Sequence, residues 1–178
     1  RDLGGEEMNA IVACDSTWGI GYCGQLQKPI SADLKRFKEL TWGKVIIYGR
    51  LTMETHPGGK PLPGRRNIVL TTDPDFSAEG AIVAHSVEEV LQLVKNLKRT
   101  EKLTDDDFFV TGGSSVYSQF MPYTNRVYIT QHFQSYPSDC DFPDLDSNPN
   151  FKLSSVGEWL EENGSYFRYL TYERNSIA

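Results

Sequence analysis

Short apolar runs alternate with helical patterns along most of this chain, and that alternation restricts its fold more than any other feature. The runs have the length of buried strands and are bounded by turn residues: NAIVAC, KVIIYG, NIVLTT, AIVA and DFFVT. Helical patterns stand between several of them, among them SADLKRFKELT and SSVYSQF. Because parallel strands need crossover connections, this order predicts an α/β fold with a mainly parallel central sheet flanked by helices.

The last third of the chain departs from this alternation. FKLSSVGEW and SYFRYLTYER lie on either side of Gly164, which predicts two antiparallel strands at one edge of the sheet. Residues 15–31 contain three glycines and little periodicity, so they are predicted to form a long loop, which is often functional. Ser31 is the predicted N-cap of the first helix, and Ser86 with Glu89 predicts a capping box for a helix reaching about Lys98.

The composition excludes several classes of protein. With 18 Lys and Arg against 24 Asp and Glu, the net charge of −6 argues against binding of nucleic acid. No apolar run approaches the ~20 residues that cross a bilayer, and no signal-peptide pattern opens the chain, so no membrane role is expected. Three cysteines without CxxC spacing are typical of reduced thiols, and three histidines lack metal-ligand spacing. We therefore expect a cytoplasmic monomer without a metal.

The length of 178 residues is that of one domain. Residues 1–7, RDLGGEE, are polar and precede the first strand pattern, so we expect them to be an extension or an expression remnant. Residues 8–178 are expected to form the single domain, because no repeat or low-complexity segment divides them.

Three strand ends carry residues suited to phosphate. GRLT (49–52), TT (71–72) and GGSS (112–115) each end or follow a strand, and ligands of open α/β sheets bind beyond the carboxyl ends of the strands. Glycine at a helix N-terminus lets phosphate oxygens approach free N–H groups. These junctions favour a dinucleotide with an extra phosphate, paired with Arg50. None is a GxGxxG fingerprint, and each glycine alone is also explained as a turn residue.

One acid, Asp33, lies in the first turn of the predicted helix 31–41. The helix dipole favours a carboxylate there by about 0.3–1 kcal/mol, so Asp33 has an explanation without any function. Phe37 follows four residues later and shares its helix face, which would turn Asp33 inward. A carboxylate among Ile11, Leu34 and Phe37 would have a raised pKa and need a hydrogen-bonding or cationic partner. The helix alone leaves both alternatives open.

Seven segments resemble the dihydrofolate reductase family in order and spacing, from residue 9 to about residue 173. They are IVACDSTWGIG, ISADLKRFKELT, VIIYGRLTMET, KPLPGRRNIVLT, VTGGSSVYSQF, VYIT and CDFPD. The resemblance implies a mainly parallel central eight-stranded sheet with an antiparallel C-terminal edge. It also implies NADPH-dependent reduction of 7,8-dihydrofolate to 5,6,7,8-tetrahydrofolate, with antifolate inhibitors as further ligands.

The resemblance also implies roles for single residues. Asp33 and Thr130 match the family's catalytic carboxylate and the hydroxyl that shares its hydrogen-bond network. Arg65 matches the arginine that binds the glutamate α-carboxylate of folate, and Arg50 with Thr72 matches the side that reads the 2′-phosphate. The substrate set is Ile11, Val12, Ala13, Leu26, Asp33, Leu34, Phe37, Leu62, Arg65, Thr111, Tyr117 and Thr130. The NADPH set is Ala13, Ile20, Gly49, Arg50, Leu51, Thr52, Leu70, Thr71, Thr72, Thr111, Gly112, Gly113, Ser114, Ser115, Val116 and Tyr117.

The chain departs from the family's pattern beside the catalytic acid. Gln27 and Lys28 replace a usual Pro-Trp pair whose tryptophan holds a water near the carboxylate, and Ser31 replaces a usual proline. A buried Lys28 would lower the pKa of Asp33, whereas an exposed Lys28 would not affect it, and we expect exposure.

Further departures lie elsewhere in the chain. Ser115 replaces a basic residue of some members, so the 2′-phosphate would rest more on Arg50. His56 is either a cleft-mouth residue or a surface turn histidine, and we favour the turn. Asp139 aligns with an acid that bonds the mobile loop in some members, which is a hypothesis for this chain.

Two other functions compete with this interpretation. A related reductase on the same fold uses NADPH to reduce a ribosylated pyrimidine, but it would not need an inward acid at position 33 with an arginine at position 65. A catalytically silent nucleotide-binding module would keep the cofactor residues, and Asp33 would only end a helix. NADPH oxidation with dihydrofolate, and antifolate binding that depends on Asp33, separate these alternatives.

Overall fold

A computed structural model describes residues 4–22, 25–26 and 28–176 of the chain. Over these residues, the strands β1 to β12 are Met8–Cys14, Gly19–Tyr22, Gln25–Leu26, Val45–Gly49, Arg66–Leu70, Ala81–Ala84, Phe108–Gly112, Thr124–His132, Cys140–Asp141, Phe151–Val156, Leu160–Glu162 and Ser165–Arg174. The helices α1 to α4 are Ser31–Thr41, Arg50–Met53, Val87–Glu101 and Ser114–Phe120. Short 3-10 helices are Pro57–Gly59, Asp105–Asp107, Met121–Tyr123 and Leu145–Ser147.

The central sheet follows the path β10-β12-β8-β1-β7-β4-β5-β6, and β11 pairs with β12 beside that path. The pairs β1–β7, β7–β4, β4–β5 and β5–β6 are parallel. The pairs β8–β12, β12–β10 and β12–β11 are antiparallel. The predicted α/β fold, with a mainly parallel eight-strand path and an antiparallel C-terminal edge, is confirmed.

Two compact units are formed by segments that interleave along the chain. The first unit contains residues 41–124 with the described part of residues 1–10, and the second contains residues 11–40 with the described part of residues 125–178. Strands β4 to β7 and helices α2 to α4 belong to the first unit. Helix α1, the small strands and the C-terminal strands belong to the second. That residues 8–178 form one domain stays a prediction.

Strand β4 is the centre of the first unit. Its residues from Val45 to Tyr48 are at most 3% exposed, and Ile68, Val69 and Val110 on the neighbouring strands are fully buried. A parallel strand covered on both faces reads as a continuous apolar run rather than an alternating one. This is why KVIIYG was recognisable as a strand from its composition alone.

Helix α3 begins where its capping residues predicted and ends later. The Ser86 hydroxyl accepts a hydrogen bond from the Glu89 backbone N–H at 3.1 Å, while the Glu89 carboxylate accepts from the His85 N–H. Lys98 and Arg99 lie in the last turn, where the helix dipole favours positive charge. The helix continues to Glu101 rather than stopping near Lys98.

The described parts of residues 15–31 contain two strands that the sequence did not predict. Strand β2 pairs with β3 and with β9 in a separate three-stranded sheet. The prediction of one long loop was therefore wrong for residues 19–22 and 25–26. Glycines at alternate positions removed the side-chain pattern that identifies a strand, and β9 lies more than a hundred residues away in the sequence.

The predicted C-terminal hairpin is present, with its first strand divided. Asn163 and Gly164 have φ values of 50° and 83°, the left-handed conformation that a tight hairpin turn requires. Gly157 separates β10 from β11, and its N–H donates to the Tyr169 carbonyl at 2.8 Å. A Cβ at Gly157 would lie 3.2 Å from that carbonyl oxygen, so the backbone approach needs glycine.

The start of α1 is capped from a distant part of the chain. The predicted N-cap, Ser31, is already helical, and its N–H and hydroxyl both donate to the Glu162 carboxylate at 2.8 Å. The Ala32 N–H donates to the same carboxylate at 3.1 Å. These hydrogen bonds lower the pKa of Glu162 below its ordinary value. A proline at position 31 would lack the N–H, so this cap depends on the serine.

Replacing Glu162 with alanine removes the acceptor of three donors at the start of α1. Because free N–H groups at a helix end exchange with solvent, we expect amide hydrogen exchange in α1 to become faster by about threefold or more. Hydrogen-exchange mass spectrometry of the peptide covering residues 29–41 measures this. Glu158→Ala changes an exposed acid of the same unit and serves as the matched control. Equal exchange in the two variants would show that Glu162 is not the cap.

Candidate active site

Asp33 and Thr130, 97 residues apart in the sequence, meet in the second unit. Asp33 lies in the first turn of α1, and Thr130 lies in β8 and is 3% exposed. The Thr130 hydroxyl donates to Asp33 Oδ1 at 2.5 Å. Of the two alternatives for Asp33, the structure shows the inward one. Its catalytic role, and that of Thr130, stay predictions.

The environment of Asp33 raises the pKa of its carboxyl above the ordinary value. Burial raises the pKa of the carboxyl, and the Thr130 hydrogen bond and the charge of Arg36 lower it by less. The Arg36 guanidinium lies 3.9 Å from the centre of the Tyr169 ring, and Tyr169 is the cross-strand neighbour of Thr130. Burial and the nearby charge of Asp33 also raise the pKa of the Tyr169 phenol. Sequence reasoning missed both residues, although Arg36 stands one helical turn after Asp33.

The apolar surroundings of Asp33 differ from the prediction at one residue. Ile11 is 7% exposed and Phe37 is half-buried, but Leu34 is 53% exposed. Adjacent residues of a helix point in different directions, so Leu34 cannot share the face of Asp33. The expectation that Leu34 packs around the carboxylate was wrong. Its implied contact with the substrate stays a prediction.

Asn67, which the sequence analysis did not single out, organises the segment before β5 in the first unit. Its side chain is buried, and its Oδ1 accepts from the Tyr48 hydroxyl at 2.7 Å and from the Leu62 N–H at 3.0 Å. Its Nδ2 donates to the carbonyls of Leu62 and Arg65 at 2.9 and 3.0 Å. One amide therefore fixes both predicted substrate residues of this segment. The signal for it was a polar residue opening an otherwise apolar strand.

Arg65 is held by its neighbours in the first unit. Its Nε donates to the Pro63 carbonyl at 2.9 Å and its Nη1 to the Thr41 hydroxyl at 3.3 Å. The guanidinium also lies 5.4 Å from the centre of the Trp42 ring. Among the described residues no carboxylate forms a salt bridge with Arg65, so its charge is available to an anionic ligand.

The Trp42 indole lies directly over Gly64. A Cβ at Gly64 would come within 2.1 Å of the ring, and the glycine has a φ of 74°. The Gly43 N–H donates to the Gly64 carbonyl at 2.8 Å. Within the first unit, residues 42–43 and the segment before Arg65 are thus joined by a backbone hydrogen bond and by the indole ring.

The glycine junctions of the first unit are brought together as predicted for neighbouring strand ends. Gly49 pairs in register with Leu70, and Tyr48 with Gly112. A Cβ at Gly49 would lie 3.1 Å from Val116, and one at Gly112 would lie 3.4 Å from the Thr52 hydroxyl. Gly112 also has a φ of 134°, which favours glycine, and its peptide bond to Gly113 is cis. The backbone at Gly49 and Gly112 thus lies close to Val116 and Thr52. We call this narrow space at the carboxyl edge of the sheet the cradle.

Thr111, at the end of β7, carries a buried hydroxyl with no hydrogen-bond partner among the described residues. A buried polar group normally has a partner, so this oxygen suits a polar group supplied by a ligand. The resemblance placed Thr111 in both the substrate and the NADPH sets. Its geometry is consistent with those assignments, which stay predictions.

Arg50, the predicted phosphate ligand, is already paired. Its Nη1 lies 3.0 Å from Asp73 Oδ2, and its guanidinium lies 4.5 Å from the centre of the Phe76 ring. Asp73 follows β5 directly after Thr71 and Thr72, which were predicted to bind the same part of the cofactor. Neither Asp73 nor Phe76 was anticipated, because their relation to Arg50 depends on strands β4 and β5 lying side by side.

Asp15 orders the segment after β1 in the second unit. It is 1% exposed, and its carboxylate accepts from the N–H groups of Thr17, Gly19 and Tyr136, each at 2.9 Å. Burial alone would raise the pKa of Asp15, but these hydrogen bonds lower it below its ordinary value. That Asp139 also bonds this loop stays a hypothesis. The Asp139 backbone N–H donates to the Gly21 carbonyl at 2.9 Å.

The remaining predicted residues lie as follows. Val12 and Ala13 are in β1, Ile20 in β2, Ser114, Ser115, Val116 and Tyr117 in α4, and Leu51 is 76% exposed in α2. Leu26 has its backbone in β3, but its side chain lies outside the described residues, as do Cys23 and Gln27. Lys28 is exposed, as expected. His56 is half-buried, its Nδ1 donates to the Lys60 carbonyl at 3.0 Å, and burial lowers its pKa.

Two properties of the described residues bear on the function classes. They contain no group of three or more His, Cys, Asp or Glu side chains placed to hold a metal ion. None of their helices is both long and apolar enough to cross a membrane.

The comparisons with known proteins agree on one family. The dihydrofolate reductase family model matches residues 7–174. The dihydrofolate reductase of Bacillus subtilis (strain 168) is 34% identical over 173 residues, covering 96% of each chain. That of Mycobacterium leprae (strain TN) is 36% identical, covering 94% of this chain and 98% of the relative. The structure of the Enterococcus faecalis dihydrofolate reductase complexed with NADP(H) and RAB-propyl is 35% identical, with a TM-score of 0.80, and covers 97% of this chain and 98% of that chain.

Replacing Asn67 with alanine removes a hydrogen-bond partner from the buried Tyr48 hydroxyl and from part-buried backbone groups of residues 62 and 65. We expect the free energy of unfolding to fall by about 1–3 kcal/mol, the cost of burying unsatisfied polar groups. Urea denaturation of the variant measures this, with Asn150→Ala, at an exposed position, as the control. A change for Asn67→Ala as small as that of the control would contradict the role given to this amide.

Replacing Asp33 with asparagine removes a carboxylate whose pKa folding raises. Ionising such a group costs folding free energy, and this cost is absent below the ordinary pKa of 3.8 and fully present above the raised pKa. The melting temperature of Asp33→Asn relative to the wild type should therefore increase as pH rises from about 3 to 7. Asp15→Asn should show the opposite trend, because folding lowers the pKa of Asp15. In a calorimetric pH series, a melting-temperature difference that falls with pH for Asp33→Asn would contradict the first assignment, and one that rises with pH for Asp15→Asn would contradict the second.

Proposed function

The chain belongs to the dihydrofolate reductase family, and on that premise we propose that it reduces 7,8-dihydrofolate to 5,6,7,8-tetrahydrofolate with NADPH. The observation that carries the proposal is the hydrogen bond from Thr130 to the inward carboxylate of Asp33. A nucleotide-binding module without catalysis would have no use for a buried acid on α1. Its cost to stability is accounted for if the acid binds the substrate.

Asp33 suits the edge of a pterin ring. The 2-amino group and N3 of dihydrofolate form an amidine-like edge with two parallel donors, which a carboxylate accepts side by side. The Thr130 hydroxyl occupies Oδ1 and fixes the orientation of the carboxylate plane. Since burial disfavours the charged acid, a ligand that donates to it also relieves part of that cost. We infer that Asp33 and Thr130 together orient the pterin.

The residues of the first unit fit NADPH on three observations. The Thr111 hydroxyl is buried without a partner among the described residues, a Cβ at Gly49 would crowd Val116, and the φ of Gly112 favours glycine. The set also offers one cation, Arg50, and several hydroxyls to a phosphorylated ribose. When bound, NADPH supplies the hydride that passes from nicotinamide C4 to pterin C6. The dinucleotide would be held by residues 49–52, 70–72 and 111–117, together with Ala13 and Ile20.

The tail of the substrate would be bound by Arg65. Its guanidinium can form two parallel hydrogen bonds with the α-carboxylate of the glutamate moiety, and the Thr41 and Pro63 contacts restrict its motion. Asn67 fixes the backbone of the same segment, including Leu62. We infer that this preorganisation mainly affects affinity for substrate, because Arg65 does not act on the reacting atoms.

Asp33 also has a part in proton supply. N5 of the pterin must be protonated during the reaction, and we infer that water delivers this proton. The charge of Asp33 near the ring raises the proton affinity of the pterin, which makes its arrival more favourable. The protein's contribution is thus to orient the ring, exclude bulk water and hold one negative charge nearby.

The family premise extends to ligands and setting. We infer that antifolate inhibitors compete with dihydrofolate for Asp33, since they can donate to the same carboxylate. That the protein is a monomer located in the cytoplasm stays a prediction from the sequence.

Asp33→Asn should lower kcat with dihydrofolate at neutral pH by about 100-fold or more, while the Kd for NADPH changes less than about twofold. The reason is that an amide cannot supply the negative charge that favours N5 protonation. Steady-state absorbance measurements give kcat, and fluorescence titration gives the Kd. The deficit should shrink as pH falls, because solvent protonates the substrate more readily.

Asp75→Asn, on the exposed segment after β5, is the matched control and should leave kcat unchanged. Near-normal turnover by Asp33→Asn at neutral pH would refute the role of this acid. Wild-type protein that oxidises NADPH with a ribosylated pyrimidine but not with dihydrofolate would refute the proposed function itself.

A further inference from the structure

The ion pair between Arg50 and Asp73 is held in place by further hydrogen bonds of Asp73. Asp73 Oδ2 lies 3.0 Å from Arg50 Nη1, and Asp73 Oδ1 accepts a hydrogen bond from the Asp75 N–H at 2.9 Å. The Asp73 N–H donates to the Thr71 hydroxyl at 3.2 Å, and its carbonyl accepts from the Phe76 N–H at 3.3 Å. Both carboxylate oxygens and the backbone of Asp73 are therefore engaged.

The same segment fixes the other side of Arg50. Phe76 places its ring under the guanidinium, with 4.5 Å between the guanidinium carbon and the ring centre. The Thr71 carbonyl accepts from His85 Nδ1 at 3.0 Å. Residues 71–76 thus form a turn whose shape is held by hydrogen bonds and whose acid and aromatic ring both face Arg50.

Arg50 is the one charged side chain in the set of residues predicted to bind the dinucleotide. The rest of the set near the phosphorylated ribose consists of hydroxyls: Thr71, Thr72 and Ser115. The Ser115 hydroxyl already accepts a hydrogen bond from the Gln119 amide at 3.0 Å. A 2′-phosphate would therefore meet one arginine whose charge is balanced by an adjacent carboxylate.

The two members of this pair favour different dinucleotides. An arginine accommodates a 2′-phosphate, whereas an acid after a neighbouring strand accepts a hydrogen bond from the 2′-hydroxyl of an unphosphorylated ribose. The carboxylate also repels the phosphate and competes with it for Arg50. The side chains of Arg50 and Asp73 are 43% and 42% exposed, so these effects are moderate and sensitive to salt.

We propose that Asp73 is a specificity-determining residue that weakens the chain's preference for 2′-phosphorylated over unphosphorylated nicotinamide dinucleotides. The inference rests on the proposed function, which assigns this edge of the first unit to the cofactor. It concerns the ratio of two affinities, not the chemistry of the reaction. The acid keeps Arg50 in place without a phosphate and reduces the gain when a phosphate is present.

The test is equilibrium binding without substrate. Isothermal titration calorimetry with NADP⁺ and with NAD⁺ gives the ratio of the two Kd values for wild type, Asp73→Asn and Asp73→Ser. We expect both variants to raise the preference for NADP⁺ by about threefold to tenfold at low salt, as removal of one exposed charge near a phosphate allows. The gain should shrink between about 50 mM and about 500 mM salt.

The controls separate this inference from the proposed function. Glu79→Gln neutralises another exposed acid in the connection between β5 and β6 and should leave the ratio unchanged. Arg50→Gln should weaken NADP⁺ binding by about tenfold or more while changing NAD⁺ binding less. An unchanged ratio in both Asp73 variants, with the Arg50→Gln loss present, refutes the role of Asp73 alone. NADP⁺ affinity unaffected by Arg50→Gln refutes the cofactor assignment and the inference with it.

Discussion

The register of the buried parallel strands determines where the functional residues of the first unit lie. Gly49 is paired with Leu70 and Tyr48 with Gly112, so three strand ends arrive at the same edge. A shift of one residue would turn every side chain of β4 to the opposite face. Both faces of β4 are buried, so the shift would not expose its side chains; it is disfavoured because it would misplace closely packed groups and break the buried hydrogen bond between Tyr48 and Asn67. The position of the cradle therefore follows from sheet packing rather than from its own loops.

In the second unit, the Asp33 carboxylate is kept away from water near the start of α1. Asp33 has one neutral donor, Thr130, and the charge of Arg36 nearby. Neither contact offsets the desolvation of the carboxylate. The helix that carries it is secured by Glu162, a second acid that binds the free N–H groups at its end. Glu162 therefore stabilises the start of the helix. Burial of Asp33, two residues after Ser31, costs stability.

Much of this architecture could be predicted because its signals are local. The continuous apolar run of β4 and the capping residues Ser86 and Glu89 each depend on neighbours in the sequence. The inward position of Asp33 could be stated only as one of two alternatives, since its partner is 97 residues away. The seven matching segments pointed to the family because order and spacing are specific where a single motif is not.

The features that could not be predicted depend on contacts between residues distant in the sequence, or lie in segments without a side-chain pattern. Asn67 and Asp15 look like ordinary turn and strand-end residues until their buried partners are known. The pairing of Asp73 with Arg50 depends on two strands lying side by side. Strand β2 was not predicted because its glycines leave no side-chain pattern. Ser31 was predicted to be the N-cap because the role of Glu162, which is distant in the sequence, is not visible in local patterns. The position of Leu34 was predicted wrongly because the apolar face of α1 was assumed to include it. Its side chain is exposed and does not share the face of Asp33.

The contact between Trp42 and Gly64 has a consequence for the sequences this fold accepts. The indole fills the space that any side chain at position 64 would need, and the glycine backbone adopts a left-handed conformation. A larger residue at 64 is therefore compatible only with a smaller residue at 42, together with a rebuilt turn. The constraint is one-directional: a side chain at position 64 requires a prior change at position 42, whereas Trp42 can be replaced by a smaller residue while Gly64 is kept.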